Sequence, residues 1–537
     1  MMVWLALTAG ASELGETLLA EATAIVEELG PRPARTAAGD AAQRWTQATL
    51  EAAGWTAERV LGPDGYVMGC QPGADARIVL FIAHTDTVHA AVPGANDNAA
   101  AMAVLLHLAR DLPGAEQRPR TVCLAFPDSE EIGLRGSRRL AADVTGERAP
   151  LDQVMALDLV GRGQLTHNGL GPAWSTSQLR ALLEVAPAEV PWVYRAISQG
   201  YPSMERSDHH WFGRMGIPSS HLMARAESGV LWPYHTADDE PSSLEPETLA
   251  AAYAAVHGVA YAPPLPRGSG GIAVVVPWTR MVVPGWGVLV AMAGLLVGTL
   301  AARFDAHRKT KEALALAPLG GLVLLAAMGA WIGFAVAGSR PFGLALAGYV
   351  ATAGWAGLLV AVSRIEVKGA LAATMVVALF LGLAGLAVWG GLPLLAPPVL
   401  SAALATALLD RVPRLVAWGL LPVALWPGLY FVRGDAIREL AHHQMVPPTV
   451  LLWTGFLLVL GSPLAVFASN QEAPVRRGLL GIGVVAFLWG TGAAWMTPVM
   501  QAPYERGPWY AGPNLPPYSP IYPHPPVAPV DPARRRR

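Results

Sequence analysis

Residues 77–131 read RIVLFIAHTDTVHAAVPGANDNAAAMAVLLHLARDLPGAEQRPRTVCLAFPDSEE, and this stretch decides the fold. Near its ends, Arg77–Ala83 (RIVLFIA) and Arg120–Phe126 (RTVCLAF) are continuous apolar runs, the pattern of strands buried on both faces of a central sheet. Between them, Asn98–Leu112 carries an apolar stripe at helical spacing. Outward in both directions the alternation continues. Glu13–Leu29 and Asp40–Ala53 have helical periodicity, Gln153–Leu157 reads as a short strand, and Leu244–Tyr261 as another striped helix. The predicted class is α/β, a mixed central sheet flanked by helices over residues 13–262.

Open α/β sheets place ligands at the carboxyl ends of their strands, and there the chemistry-bearing residues collect. RIVLFIA delivers His84, Thr85 and Asp86; GANDN follows, with Asp97 just before a helix. TVCLAF runs into PDSEE, presenting Glu130 and Glu131; QVMAL ends in Asp158; much later WPYHTADDEP supplies His235. Singly, each is ordinary. A histidine after a strand can be structural, an Asp before a helix can be its N-cap, and a Glu pair is usually solvated. In this order, aimed by apolar strands, they predict a metal centre built of imidazoles and carboxylates, from four strand ends converging on one rim. Cys70 and Cys123 cannot make a cysteine zinc cluster or a disulfide scaffold, and both lie in apolar runs, so buried free thiols are expected.

The rest of the chain is different in kind. Residues 1–270 hold 19 Lys+Arg against 31 Asp+Glu, and residues 271–537 hold 19 against 9, so a formal charge of −2 hides an acidic half and a net basic one. The acidic half lacks the basic stripe that nucleic acid requires. Beyond a Pro/Gly/Ser-rich linker at 263–281 come eight apolar stretches near the ~20 residues that span a bilayer: Val282–Ala302, Ala313–Gly338, Phe342–Val362, Gly369–Trp389, Leu392–Leu409, Leu415–Val432, Thr449–Ala468 and Gly478–Val499. An all-α transmembrane bundle over 282–499 is therefore expected, with the lipid bilayer as partner. Pro397 and Pro398 leave the count open between seven and nine spans. Arg303, Arg308, Lys309, Lys311, Arg364, Lys368, Arg411, Arg414, Arg476 and Arg477 fall in alternate loops, against Arg340, Arg433 and Arg438 in the others. By the positive-inside rule the acidic half faces out of the cytoplasm.

The spans show no row of buried charges, which argues against a transporter. His442 and His443 read as loop residues, and the Pro/Tyr-rich stretch 500–537, ending in Arg534–Arg537, as a tail without a core. Met1–Ala11 is apolar without a basic leader, and reads equally as a clipped signal, a misplaced start or the first turns of a helix. Three lysines (Lys309, Lys311, Lys368) beside abundant Arg and Ala suggest a GC-rich bacterial genome, hence a bacterial cell membrane.

HTDTV, GANDNAA, SEEIGLRGSR, ALDLVGRG, SDHHWFGRMGIP and YHTADD together resemble the motif series of the di-zinc exopeptidase family that includes bacterial leucyl aminopeptidases, glutaminyl cyclases and glutamate carboxypeptidases. A peptidase domain followed by many spans is similar to the endoplasmic reticulum metallopeptidase and vacuolar membrane protease branch. The resemblance implies two Zn2+ ions per chain; because mixed N/O sites discriminate poorly between metals, cobalt or manganese could take one position. It implies that Asp97 bridges them, that His84 and Glu131 complete one site, and that Asp158 and His235 complete the other. Glu130 becomes the general base, and Asp86 the residue holding the His84 ring. Asp208 and Asp239 become outer partners of the ligands. The family often has a strained peptide bond after the bridging Asp, here Asp97–Asn98.

The expected function is a membrane-anchored aminopeptidase acting on peptides. A glutaminyl cyclase is the alternative within the fold; the short IGLR run between Glu131 and Gly136–Ser137 is more like the aminopeptidases. A carboxypeptidase would need Arg206 or Arg225 at the site. A non-catalytic scaffold would normally have lost a ligand or the base, and none is missing here. Side-chain preference is expected to lie in loops such as Ala186–Glu205.

Overall fold

The computed structural model describes residues 2–112, 118–145, 151–171, 173–190, 207–225, 234–271, 273–275 and 281–307, together with helical stretches between residues 376 and 432. Seven strands form one sheet: β1 (Ala57–Val60), β2 (Tyr66–Gln71), β3 (Asp75–Ile82), β4 (Arg120–Pro127), β5 (Leu151–Leu157), β6 (Gln164–Asn168) and β7 (Ser219–Arg225). Their order is β1-β2-β4-β3-β5-β7-β6. The four middle strands β4, β3, β5 and β7 run parallel, and β1, β2 and β6 are antiparallel to their neighbours. The mixed sheet agrees with the sequence reading.

The apolar run of β3 explains its central place. Val79 and Phe81 point into one buried cluster, Leu80 and Ile82 into a second on the opposite face. On the first face pack α1 (Met2–Leu29), α2 (Ala37–Ala52), α3 (Ala100–Asp111), α5 (Thr176–Val185) and α7 (Pro246–Ala260). On the second lie α4 (Arg135–Thr145) and the short α6 (His210–Arg214). Local chemistry sets several helix starts. Thr36 caps α2 by accepting from Gly39 N–H at 3.2 Å, Ser175 and Gln178 form a reciprocal capping box on α5, and Pro246 opens α7. Gly15 lets α1 lie against α7, since a Cβ there would come within 2.4 Å of the Pro246 carbonyl oxygen.

Two expectations change. Cys70 and Cys123 are not free thiols but a disulfide, with Cα atoms 4.1 Å apart. They stand directly opposite each other on antiparallel β2 and β4, a register that composition does not reveal. The stretch after residue 262 is also more ordered than a plain linker. β8 (Ala273–Val275) and β9 (Val282–Pro284) form a hairpin whose Ala273, Val275 and Val282 are buried in the first cluster. Arg180 on α5 donates to Val282 O at 2.8 Å. Helix α8 therefore begins at Gly285 rather than Val282, and runs to His307 with side chains described as far as Ala301.

By contacts the chain divides into two units, Met1–Ala301 with Leu381–Ser401, and Ala302–Phe380 with Ala402–Arg537. Two further helices are α9 (Ala396–Leu409) and α10 (Arg414–Val432). Pro397 and Pro398 fall in the first turn of α9, where a missing N–H costs nothing. Among the described residues, no helix is long and apolar enough to cross a membrane. The expected spans Ala313–Gly338, Phe342–Val362, Thr449–Ala468 and Gly478–Val499, most of Gly369–Trp389, and the tail 500–537 lie outside the described residues. So do Arg206, His442, His443 and residues 191–205 of the specificity loop, while Arg225 is described by its backbone alone.

Candidate metal centre

β3 lies between β4 and β5 and runs parallel to both, so three carboxyl ends share one edge of the sheet. His84 stands two residues past β3, Glu130 and Glu131 follow β4, and Asp158 immediately follows β5. Asp97 comes from the turn Ala95–Ala99 that leads into α3, and its peptide bond to Asn98 is cis. Asn98 Nδ2 donates to Leu157 O at 2.9 Å, tying this turn to the end of β5. Asp239 accepts the N–H groups of Asn96 at 2.7 Å and Asp97 at 3.1 Å from the other side. His235 arrives from a turn with left-handed backbone, φ 57°, and not from a strand end. The rim is thus three strand ends and two turns, where four strand ends were expected.

Asp97 is the centre of the arrangement. Its Oδ1 is 3.2 Å from His84 Nε2 and its Oδ2 is 3.3 Å from His235 Nε2. Asp158 Oδ1 lies 3.7 Å from His84 Nε2, and Glu131 Oε2 lies 2.9 Å from His235 Nε2. Two groups result, His84–Asp97–Asp158 and Asp97–Glu131–His235, each with its ligand atoms within 4.8 Å of one another. The five expected ligands come together, but their pairing is the reverse of the expected one. The register explains the exchange. Ile82 pairs with Ala156, which sets His84 level with Asp158 on the neighbouring strand. Ile82 also pairs with Ala125, so Glu131 stands well past the level of His84 and meets the His235 turn instead.

The donor set fits divalent cations. His84 Nε2, Asp97 Oδ2, Glu131 Oε1, Asp158 Oδ1 and His235 Nε2 are buried and hydrogen-bond to none of the described residues. Leaving such atoms unsatisfied costs about 1–3 kcal/mol each, and more for charged ones. Imidazole with carboxylate is the ligand chemistry of zinc where cysteine is absent.

The electrostatics of the bare groups agree. Burial lowers the proton affinity of the His84 imidazole, but Asp158, Asp86 and Asp97 outweigh it and leave it well above its ordinary value. Burial acts on His235 in the same way and is outweighed by Glu131 and Asp97. Burial pushes the Glu131 carboxyl up to about 8, with Asp97 adding and His235 opposing. Glu130 is also raised well above its usual range, by burial first and then by Glu131, Asp158 and Asp208 against the pull of His84. A divalent cation in each group would offset the same concentration of negative charge.

The surrounding residues position the ligands. Asp86 was expected to hold the His84 ring, yet His84 Nδ1 lies nearer the Asp86 backbone carbonyl, at 3.1 Å, than its carboxylate, at 3.6 Å. The carboxylate instead accepts from Glu130 N–H at 3.1 Å and Glu131 N–H at 3.2 Å, fixing the turn that carries both glutamates. Asp208 is buried at the start of α6 and bonded to Ser137; burial, with Asp86 and Asp158, lifts it to about 7. Burial and Asp97 lift Asp239 to about 7 as well. The sequence reading missed three neighbours. His221 Nε2 lies 3.8 Å from Asp158 Oδ2, Tyr234 stacks on His235 with ring centroids 3.6 Å apart, and Arg32 is wholly buried behind the site. Of the three, Tyr234 stood within the YHTADD motif, next to His235.

Residues 66–260 match the profile of Peptidase family M28. Three solved structures are similar at a TM-score of 0.39. The glutaminyl cyclase of Porphyromonas gingivalis is 20% identical, covering 45% of this chain and 96% of its own. A leucine aminopeptidase precursor from Bacteroides thetaiotaomicron is 19% identical, over 46% and 96%. A zinc aminopeptidase from Bacillus subtilis is 16% identical, over 46% and 95%. No curated protein matches the chain. Over residues 66–260 the chain is therefore similar to peptidase family M28, and both candidate metal groups lie within that stretch.

Proposed function

We propose that the chain is a membrane-anchored, two-zinc aminopeptidase that removes N-terminal residues from peptides outside the cytoplasm. The observation that carries this reading is Asp97, whose two carboxylate oxygens face separate histidine–carboxylate groups. His84, Asp97 and Asp158 would hold one ion, and Asp97, Glu131 and His235 the other. When bound, such a pair polarises a peptide carbonyl and lowers the pKa of a nearby water towards roughly 7. Glu130 belongs to neither group and stands beside Glu131, free to serve as the base. It takes a proton from the attacking water as the water oxygen bonds to the carbonyl carbon. It then returns that proton to the amine nitrogen as the C–N bond breaks. Asp86, by holding both backbone N–H groups, lets the neighbouring carboxylates diverge, one to a metal and one to the water.

Hydrolysis is preferred over cyclisation because Glu131 is so close in the chain to α4. The intervening turn is closed by Gly133 and Leu134 N–H groups on the Glu130 carbonyl, at 2.9 and 2.8 Å. Support for the anchor comes from α8, where Trp286, Leu289, Val290, Val297 and Leu300 are exposed although apolar. Support for the side comes from the Lys/Arg loops and from the Cys70–Cys123 bond, because disulfides persist in oxidising compartments and are rare in the cytosol.

With zinc supplied, the full chain in detergent is expected to shorten peptides one residue at a time from a free N-terminus and to leave the N-acetylated peptides intact, read by mass spectrometry. Equal cutting of acetylated peptides would contradict an aminopeptidase. Loss of ammonia from an N-terminal Gln peptide without shortening would make the enzyme a cyclase.

A further inference from the structure

Arg32 lies outside the matched family region, in the loop between α1 and α2, and its side chain is fully buried. Its donors go to backbone carbonyls, three of the four in the two loops that carry metal ligands. Nε donates to Thr85 O at 2.7 Å, one residue from His84. One terminal nitrogen donates to Pro93 O at 3.0 Å and to Gly30 O at 3.1 Å. The other donates to Gly94 O at 3.0 Å, three residues before Asp97. The Arg32 backbone joins in, its N–H donating to Thr87 Oγ1 at 3.0 Å and its carbonyl accepting from Thr87 N–H at 3.3 Å. The charge has partners too, since it faces Asp239, Asp86 and Asp97. Those carboxylates steady the Asp97 turn, steady the Glu130–Glu131 turn, and join the two metal groups, respectively.

We infer that Arg32 is a positioning residue for the metal centre, a clamp supplied from outside the matched domain that sets the spacing of His84 and Asp97 before any ion binds, a role that rests on the two-zinc reading above. The planar guanidinium suits this task because one side chain reaches both loops with donors in a fixed fork. Gln43 on α2 reinforces the same place, donating to Thr85 Oγ1 at 2.6 Å and Phe126 O at 3.0 Å. The segment before residue 66 therefore does more than cover the sheet.

The test is Zn2+ binding by the metal-depleted full chain, read by competition with a chromophoric chelator, beside thermal unfolding of the same metal-free samples. Arg118 gives the control, because it is also buried and also donates to a backbone carbonyl, Pro72 O at 3.1 and 2.8 Å, away from the site. Arg32→Gln is expected to weaken zinc about 10- to 100-fold, the range for lost outer partners of metal ligands. Arg32→Lys, which keeps charge without the fork, should fall between it and the parent. Arg118→Gln should lower the unfolding temperature and leave zinc affinity unchanged. Should Arg32→Gln not fold, Arg32→Lys decides on the same criterion. Parent-like zinc affinity in the folded Arg32 variants would overturn the clamp. A parent protein that binds no zinc would instead overturn the two-zinc reading.

Discussion

Glu130→Gln is expected to bind zinc as tightly as the parent chain and to lose about 10²- to 10⁴-fold in turnover, the range for removal of a positioned general base. Both halves follow from geometry. Glu130 belongs to neither ligand group, so its carboxylate is not needed to hold metal. Its backbone is fixed by Asp86, and the amide of Gln has nearly the same shape, so the turn keeps Glu131 in place. What disappears is the ability to accept a proton from water and hand it to the departing amine. The check is kcat on a free N-terminal peptide beside zinc affinity on the same sample. Full turnover would remove Glu130 from the chemistry. Lost zinc would make it a ligand, against the observed grouping.

Asp97→Asn should act on the metal itself, and at both positions together. The carboxylate presents one oxygen to His84 and the other to His235. Asn replaces one of those oxygens with an NH2 group that donates and cannot ligate, and it removes the negative charge shared by two cations. The loss in affinity should exceed the roughly 10- to 100-fold that outer partners cost. A zinc titration of the variant checks this. Retention of one site at parental affinity would mean that Asp97 serves a single ion, and the shared-ligand geometry would be wrong.

The parts legible in the sequence were those where burial leaves a one-dimensional trace. β3, β4 and β5 are apolar on both faces, so they stand out as unbroken runs with functional residues at their ends. β1, β6 and β7 did not stand out, because half-polar strands such as Gln164–Asn168 and Ser219–Arg225 look like loops until a partner is known. Pairing was the second gap. That Cys70 faces Cys123, and that His84 is level with Asp158 and not Glu131, are facts of register, which becomes visible only when strands are laid side by side. Arg32 marks a third limit. Its partners are main-chain carbonyls, and those leave no side-chain signature at either end of the contact.

The central claim is that two ions share Asp97, and it is tested most directly by counting zinc. Metal-depleted full-length protein, titrated with Zn2+ and then freed of excess by gel filtration, is expected to retain two zinc ions per chain. One ion or none, in protein that still unfolds cooperatively, would contradict the account.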